Sequence, residues 1–349
     1  MHADKEYASL MAAKKNAVTF DEILDDLNKK IYYPVYFLYG EEPYFIDEIS
    51  DFIEQNILTE AEKEFNQTIL YGKDAGVPEI ISYARRYPMM SNYQVIIIRE
   101  AQEVKNIEEL EPYVLSPLVS TILVICYKYE KADRRKSFFK QVEKAGVLFE
   151  SPRLYDNKIP DWITAYLAKR KYTITAKACM LMTEFLGNDL SKIVNELVKL
   201  TINIPAGQEI TEELIEKNIG ISKDFNVFEL QKALGRKDIV KANQIISYFA
   251  ANPRENPLVK VIPILYSFFS KLLIYHGLRD KSRNSVAAAL SVNPFFIPDY
   301  QSAAKCYPAG RIIALIHVLR EYDLKAKGVD NTLATDGELM KELIFKILH

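Results

Sequence analysis

An α/β domain built on a parallel sheet, followed by an all-α remainder, is the fold class this sequence predicts. Two observations carry it. In the first 150 residues, short, β-branched, almost wholly apolar runs alternate with amphipathic stretches. Past residue 159 such runs stop, and apolar residues recur every three to four positions instead. The predicted strands are 35–39 (VYFLY), 68–71, 94–98, 122–127 and 147–149. Their lack of polar alternation is expected of strands covered on both faces. Helical stretches at 45–58, 77–86, 106–115 and 134–145 lie between them, so right-handed βαβ crossovers are expected.

The pattern changes at Ser151 and Pro152. A small helical domain is expected next. The stretch 159–170 has Pro160 in its first turn, and 176–186 stops at Gly187. Over 189–200, Leu190, Ile193, Val194, Leu197 and Leu200 keep a helical period. The stretch 211–218 starts on a capping Thr211, after a loop of Pro205, Ala206 and Gly207. A third region predicts helices at 227–234, 237–250, 258–278, 285–290, 298–306, 308–325 and 337–348. Turn signals at Asn252-Pro253, Asn256-Pro257, Asn293-Pro294 and Lys327-Gly328 separate them. The expected domains are therefore 1–152, 153–222 and 223–349.

The net charge of −2 is unevenly spread. Residues 1–152 hold 18 Lys and Arg against 26 Asp and Glu, or −8; the rest hold 27 against 21, or +6. Such asymmetry is compatible with separate partners for the two halves, or with uneven solvation alone. The three cysteines, Cys126, Cys179 and Cys306, are widely spaced and read as reduced thiols, with no zinc-ligand spacing. No run of 18 uncharged apolar residues predicts a membrane span, and residues 1–15 lack a signal-peptide core. A cytoplasmic location is expected. The origin of residues 1–10 stays open, with Met11 as an alternative start. His2, His276, His317 and His349 have no triad partner at a recognisable spacing. No catalytic residue, metal site or cofactor site is assigned.

The first strand leads straight into Gly40. In a nucleotide-binding α/β domain a G-x-x-x-x-G-K-S/T loop would follow and wrap the phosphates. Here the chain reads Gly40, Glu41, Glu42, Pro43, Tyr44, Phe45, Ile46, Asp47. The second Gly, the Lys and the Ser or Thr are missing, two acids would repel a triphosphate, and Pro43 lacks a donor. After the strand 94–98, where a carboxylate would hold Mg²⁺, the chain has Arg99 and Glu100. The scaffold is that of an ATPase without its ATP machinery, which points to binding rather than catalysis.

Two further segments stand out. In Arg85, Arg86, Tyr87, Pro88, Met89 and Met90, the helix is expected to end at Arg86, before Tyr87-Pro88. Consecutive residues at a helix end do not share one buried face, so at least one methionine is expected to be exposed; the alternative packs both under the sheet. The loop 128–140 carries Lys128, Lys131, Arg134, Arg135, Lys136 and Lys140. It is expected at a sheet edge, either as a solvated helix start or as a phosphate or partner contact. Basic residues at 134–136 near a helix N-terminus would oppose the helix dipole.

Three stretches, in order, resemble the delta subunit family of bacterial DNA polymerase III: 35–48 (VYFLYGEEPYFIDE), 186–200 (LGNDLSKIVNELVKL) and 307–328, which contains LREYDLK at 319–325. The resemblance runs from about residue 17 onward. It implies an AAA+-like clamp-loader layout: a parallel α/β domain, a helical lid and a C-terminal helical collar that joins subunits. It further implies a subunit that binds the beta sliding clamp and opens it for primed DNA without hydrolysing ATP. ATPase subunits and delta-prime would complete a hetero-pentamer. By resemblance, Met89 and Met90, flanked by Tyr87 and Pro88, would plug a pocket on the clamp; methionine departs from the more usual Leu-Phe-like pair. Lys131, Arg134, Arg135 and Arg311 are candidate partner or DNA contacts. Tyr307, Asp323 and Lys325 lie with Arg311 on or beside an amphipathic helix whose apolar side is expected to hold Ile312, Ile313, Leu315, Ile316, Val318 and Leu319. Polymerase activity would belong to the holoenzyme, since the chain shows no polymerase site. The alternatives are an active AAA+ ATPase with an atypical loop and a basic DNA-binding scaffold.

Overall fold

The computed structural model describes residues 18–331 and 333–349. The questions about residues 1–10 and Met11 lie outside that range. The chain divides into two compact units, one ending at Leu154 and one beginning at Tyr155.

The first unit is a five-stranded parallel sheet with helices on both faces. In chain order its elements are α1 (Phe20–Asn28), β1 (Val35–Gly40), α2 (Pro43–Asn56), α3 (Glu60–Asn66), β2 (Gln67–Tyr71), α4 (Val77–Ala84), β3 (Gln94–Arg99), α5 (Glu111–Val114), β4 (Thr121–Lys128), α6 (Ser137–Ala145) and β5 (Val147–Glu150). The strand order is β2-β3-β4-β1-β5. Side chains alternate between faces, so each strand feeds two cores. Val35, Phe37, Tyr39, Ile96, Ile98, Leu123 and Ile125 pack on one side with Ile80 of α4 and Phe138 and Val142 of α6. Tyr36, Leu38, Val95, Ile97, Val124 and Cys126 pack on the other with Ile23 and Leu27 of α1 and Ile46, Ile49 and Ile53 of α2.

The exception is β2. It is an edge strand, and Ile69 and Tyr71 are exposed rather than covered. Two helices were not anticipated, α1 and α3. Each begins with a capping box, Thr19 with Glu22 and Thr59 with Glu62. The expected helix 106–115 breaks into a 3₁₀ turn (Ile107–Leu110) and the one-turn α5, where Pro112 withholds a backbone donor.

The second unit holds α7 (Ile159–Lys169), β6 (Thr173–Ile174), α8 (Ala176–Leu186), α9 (Leu190–Asn203), β7 (Glu209–Ile210), α10 (Glu212–Ile219), α11 (Val227–Gly235), α12 (Ile239–Ala251), α13 (Leu258–Gly277), α14 (Arg283–Leu290), α15 (Ile297–Cys306), α16 (Ala309–Ala326) and α17 (Asp336–Leu348). The β6–β7 parallel pair is only two residues long on each side, too short to leave a periodic signal. By length and composition alone α13 is apolar enough to cross a membrane, although Lys260 and Lys271 interrupt its apolar run. Its Val261, Leu265, Phe268, Phe269 and Leu272 are buried in a core shared with Leu315 and Leu319 of α16 and Leu343 and Ile347 of α17. That is the environment of a core helix in a globular unit.

Candidate functional site

Strand register decides what meets at the C-terminal edge of the sheet. Gly40 of β1 lies beside Lys128 of β4, and Arg99 ends β3. In open α/β sheets this edge is where ligands bind.

The turn after β1 is closed by the chain itself. Gly40 has φ +139°, and a Cβ there would lie 2.1 Å from the Ser151 carbonyl oxygen. Ser151 N–H donates to Tyr39 O at 2.6 Å, Glu42 N–H donates to Ser151 O at 3.1 Å, and Ser151 Oγ donates to Glu42 O at 2.6 Å. Tyr129 N–H takes up Gly40 O at 2.8 Å. Glu42 is buried, and its carboxylate caps α2 by accepting Tyr44 N–H at 3.1 Å. The helix N-terminus, where an anion would bind, is therefore already capped by an acidic side chain of the chain's own.

Behind this turn lies a network of two cations and four acids. Arg99 bonds Asp51 at 2.7 Å and Glu54 at 2.5 Å, and Asp47 lies 3.9 Å from its guanidinium. Lys128 reaches Asp47 at 2.8 Å and Glu100 at 2.9 Å. Gln102 closes the network by donating to Glu100 at 2.7 Å and accepting Lys128 N–H at 3.1 Å. Burial opposes the charge on Lys128, but Asp47 and Glu100 outweigh it and raise its pKa. Burial likewise opposes the charge on Glu100, and Lys128 and Gln102 still pull its carboxyl below the usual range. Arg99 and Lys128 are both engaged by internal acids, so neither is left over for a triphosphate.

The second feature is the loop from α4 to β3. The helix ends at Ala84, two residues before the expected stop, with Arg85 as its C-cap. Gln94, buried at the start of β3, donates to the carbonyls of Tyr83 at 3.2 Å and Arg86, and to Thr121 Oγ1 at 2.7 Å. On the other side, buried Asn66 accepts Met89 N–H at 2.6 Å and donates to Met89 O at 2.9 Å. Between these anchors Tyr87 is 79% exposed, Met89 53% and Met90 98%, with Pro88 half-buried. Met90 has φ +54°, a left-handed conformation unfavourable for a residue with a Cβ. The loop thus presents apolar side chains to water from a fixed backbone. Sequence reading missed Asn66 and Gln94. The available signal was a polar residue at the mouth of an apolar strand.

The basic candidates are largely engaged within the chain. Lys131 pairs with Glu41 at 3.4 Å, Arg134 with Glu143, and Arg135 with Asp133 at 2.8 Å. Arg311 donates to Lys346 O at 2.7 Å. The 128–140 loop leaves the C-terminal edge of the sheet from β4, the middle strand of five, and not from a lateral edge strand. Residues Arg134 and Arg135 precede α6, which starts at Ser137, and their partners are local carboxylates. On α16, Ile312, Leu315 and Leu319 are buried, whereas Ile313 faces solvent. Tyr307 is buried, its hydroxyl donating to Leu234 O at 2.9 Å.

Residues 36–151 match the family model described as DNA polymerase III, delta subunit. The chain is 25% identical over 334 residues to DNA polymerase III subunit delta of Bacillus subtilis (strain 168), covering 92% of this chain and 94% of that one. Among solved structures, the Bacillus subtilis DNA clamp loader delta protein matches with a TM-score of 0.54 at 23% identity. That match covers 95% of this chain and 99% of the other, and shows a shared fold.

Proposed function

We propose that this chain, which belongs to the DNA polymerase III delta-subunit family, binds the beta sliding clamp through Tyr87, Pro88, Met89 and Met90 and opens it without hydrolysing ATP. The observation that carries this reading is Met90, 98% exposed on a left-handed backbone beside a half-exposed Met89. Thioethers are flexible and polarisable, suited to filling an irregular pocket. Full burial of each would contribute roughly 1.5–3 kcal/mol. A ligand that binds the opened ring better than the closed one shifts the ring by that difference and no more. Binding energy is then the whole driving force, which fits a turn already filled by Glu42 and Ser151.

In this reading residues 153–222 act as a lid and 223–349 as the collar that meets the ATPase subunits and delta-prime in a hetero-pentamer, in the cytoplasm, around primed DNA. The polymerase activity of the assembly lies elsewhere. Lys131, Arg134, Arg135 and Arg311 would contact partners or DNA only by exchanging the internal bonds described above. The test is titration of purified sliding clamp without nucleotide. Wild type should bind, and the Met89→Ala/Met90→Ala double variant should lose more than about tenfold, roughly 1.4 kcal/mol. Equal binding by both would remove the loop from the interface.

A further inference from the structure

We infer that Asn66 is the positioning residue of the clamp-binding loop: its carboxamide holds Met89 in the binding geometry before the partner arrives. The inference rests on the reading of residues 87–90 as the clamp contact.

Asn66 meets Met89 across 23 residues of sequence with both ends of its side chain. Oδ1 accepts Met89 N–H at 2.6 Å and Nδ2 donates to Met89 O at 2.9 Å. This pair of bonds copies what a neighbouring strand would supply, and it satisfies the backbone of an otherwise water-facing residue. The second Nδ2 proton goes to Glu62 O at 3.1 Å, in the first turn of α3. Glu62 in turn accepts from Thr59 N–H at 2.8 Å and Thr59 Oγ1 at 2.7 Å. Met89 is therefore fastened to a capped helix, not to another loop. Asn66 is buried, while the residue it holds is half-exposed and the next is almost fully exposed.

A buried polar side chain that spends both its functions on the backbone of an exposed apolar residue does little for the core. What it does is remove conformational freedom from the loop. Ordering cost that is met in the free protein is not charged to the complex, so affinity rises without a new contact. Asp in its place keeps the acceptor but loses the donor and sets a carboxylate against Met89 O; Ala loses both bonds.

The experiment uses the full chain and purified sliding clamp. Wild type, Asn66→Ala, Asn66→Asp and Met89→Ala/Met90→Ala are compared by clamp titration. Amide hydrogen exchange is followed at Met89 and at Ile96 and Ile97 of β3 in the free protein. Asn66→Ala should bind about tenfold more weakly. Its Met89 amide should exchange faster while Ile96 and Ile97 keep their protection. Asn66→Asp should weaken binding but retain more Met89 protection than Asn66→Ala, and it carries the comparison if the Ala variant does not fold.

If Asn66→Ala binds like wild type while the double methionine variant loses binding, the inference fails and the clamp contact stands. If Asn66→Ala weakens binding with Met89 exchange unchanged, the effect is not positioning, and the inference is overturned. If the double methionine variant binds like wild type, the contact reading fails and the inference falls with it.

Discussion

Met90 and Glu184 are residues whose surroundings disfavour their natural state. A side chain with a Cβ in the left-handed region costs on the order of 1–2 kcal/mol; other described residues such as Lys30, Asn106 and Ser291 share that conformation, so it is the combination with an exposed apolar side chain that sets Met90 apart. Glu184 of α8 presents a different conflict: its Oε1 is shut off from solvent with no hydrogen bond among the described residues. Burial pushes its carboxyl up to about 8. The folded chain therefore holds this proton more tightly than the unfolded chain. The neutral acid is fully tolerated below the unfolded value of 4.5, and stability falls as pH rises from there through about 8. Glu184→Gln should melt higher than wild type at pH 8, by about 1–3 kcal/mol, and the gap should close toward pH 4.5. Parallel melting curves at both pH values check this; a gap that does not change with pH would place the buried charge elsewhere.

At the scale of elements, α2 and β3 are joined by charge where an α/β nucleotide site would separate them. Asp47, Asp51 and Glu54 fall four and three residues apart, hence on one face of α2, and all turn toward Arg99. Arg99→Ala would leave three carboxylates facing one another with only Lys128 nearby. We expect a loss of about 1–3 kcal/mol, read as a lower denaturant midpoint at unchanged slope. A midpoint within error of wild type would mean that solvent screens the cluster. How much of this was legible follows from the same physics. The inner strands were readable because burial on both faces leaves an unbroken apolar run, as in VIII at 95–98. The exposure of Ile69 and Tyr71 was not, because an edge strand of the same composition reads alike until its neighbours are known. The start of α3 was written in Thr59 and Glu62 but overlooked, a seven-residue helix being too short to show a period. Helix-end geometry gave the exposure of at least one methionine, not that both would be exposed. The grip of Asn66 on Met89 is a tertiary contact with no spacing rule behind it.

For the whole molecule the competing functions differ in what they require of bulk behaviour. A basic DNA scaffold would draw on the half from residue 153 on, which carries +6, and the isolated chain would then bind DNA with a steep salt dependence; in the acidic half, Arg134, Arg135 and Lys131 pair with carboxylates of their own chain. The chain as a whole carries −2. An ATPase needs an anion site, and the turn after β1 offers Glu41, Glu42 and the backbone of Ser151 instead. Any ligand that binds only the folded chain raises its stability by an amount set by its concentration over its dissociation constant. At about a hundredfold excess that is about 2.7 kcal/mol, a shift of several degrees for most domains. Mg·ATP at about 1 millimolar would reach this excess for any site with a Kd of about 10 micromolar or tighter. We expect no displacement of the melting transition by Mg·ATP, and none in Arg99→Ala, because Glu42 still occupies the helix N-terminus when the guanidinium is gone. A rise with Mg·ATP in wild type would mean that Glu42 and Ser151 yield to phosphate, and the proposal of clamp opening by binding energy alone would give way to an active ATPase. Since the same chain is assayed for clamp binding without nucleotide, the two results together separate a wedge from a motor.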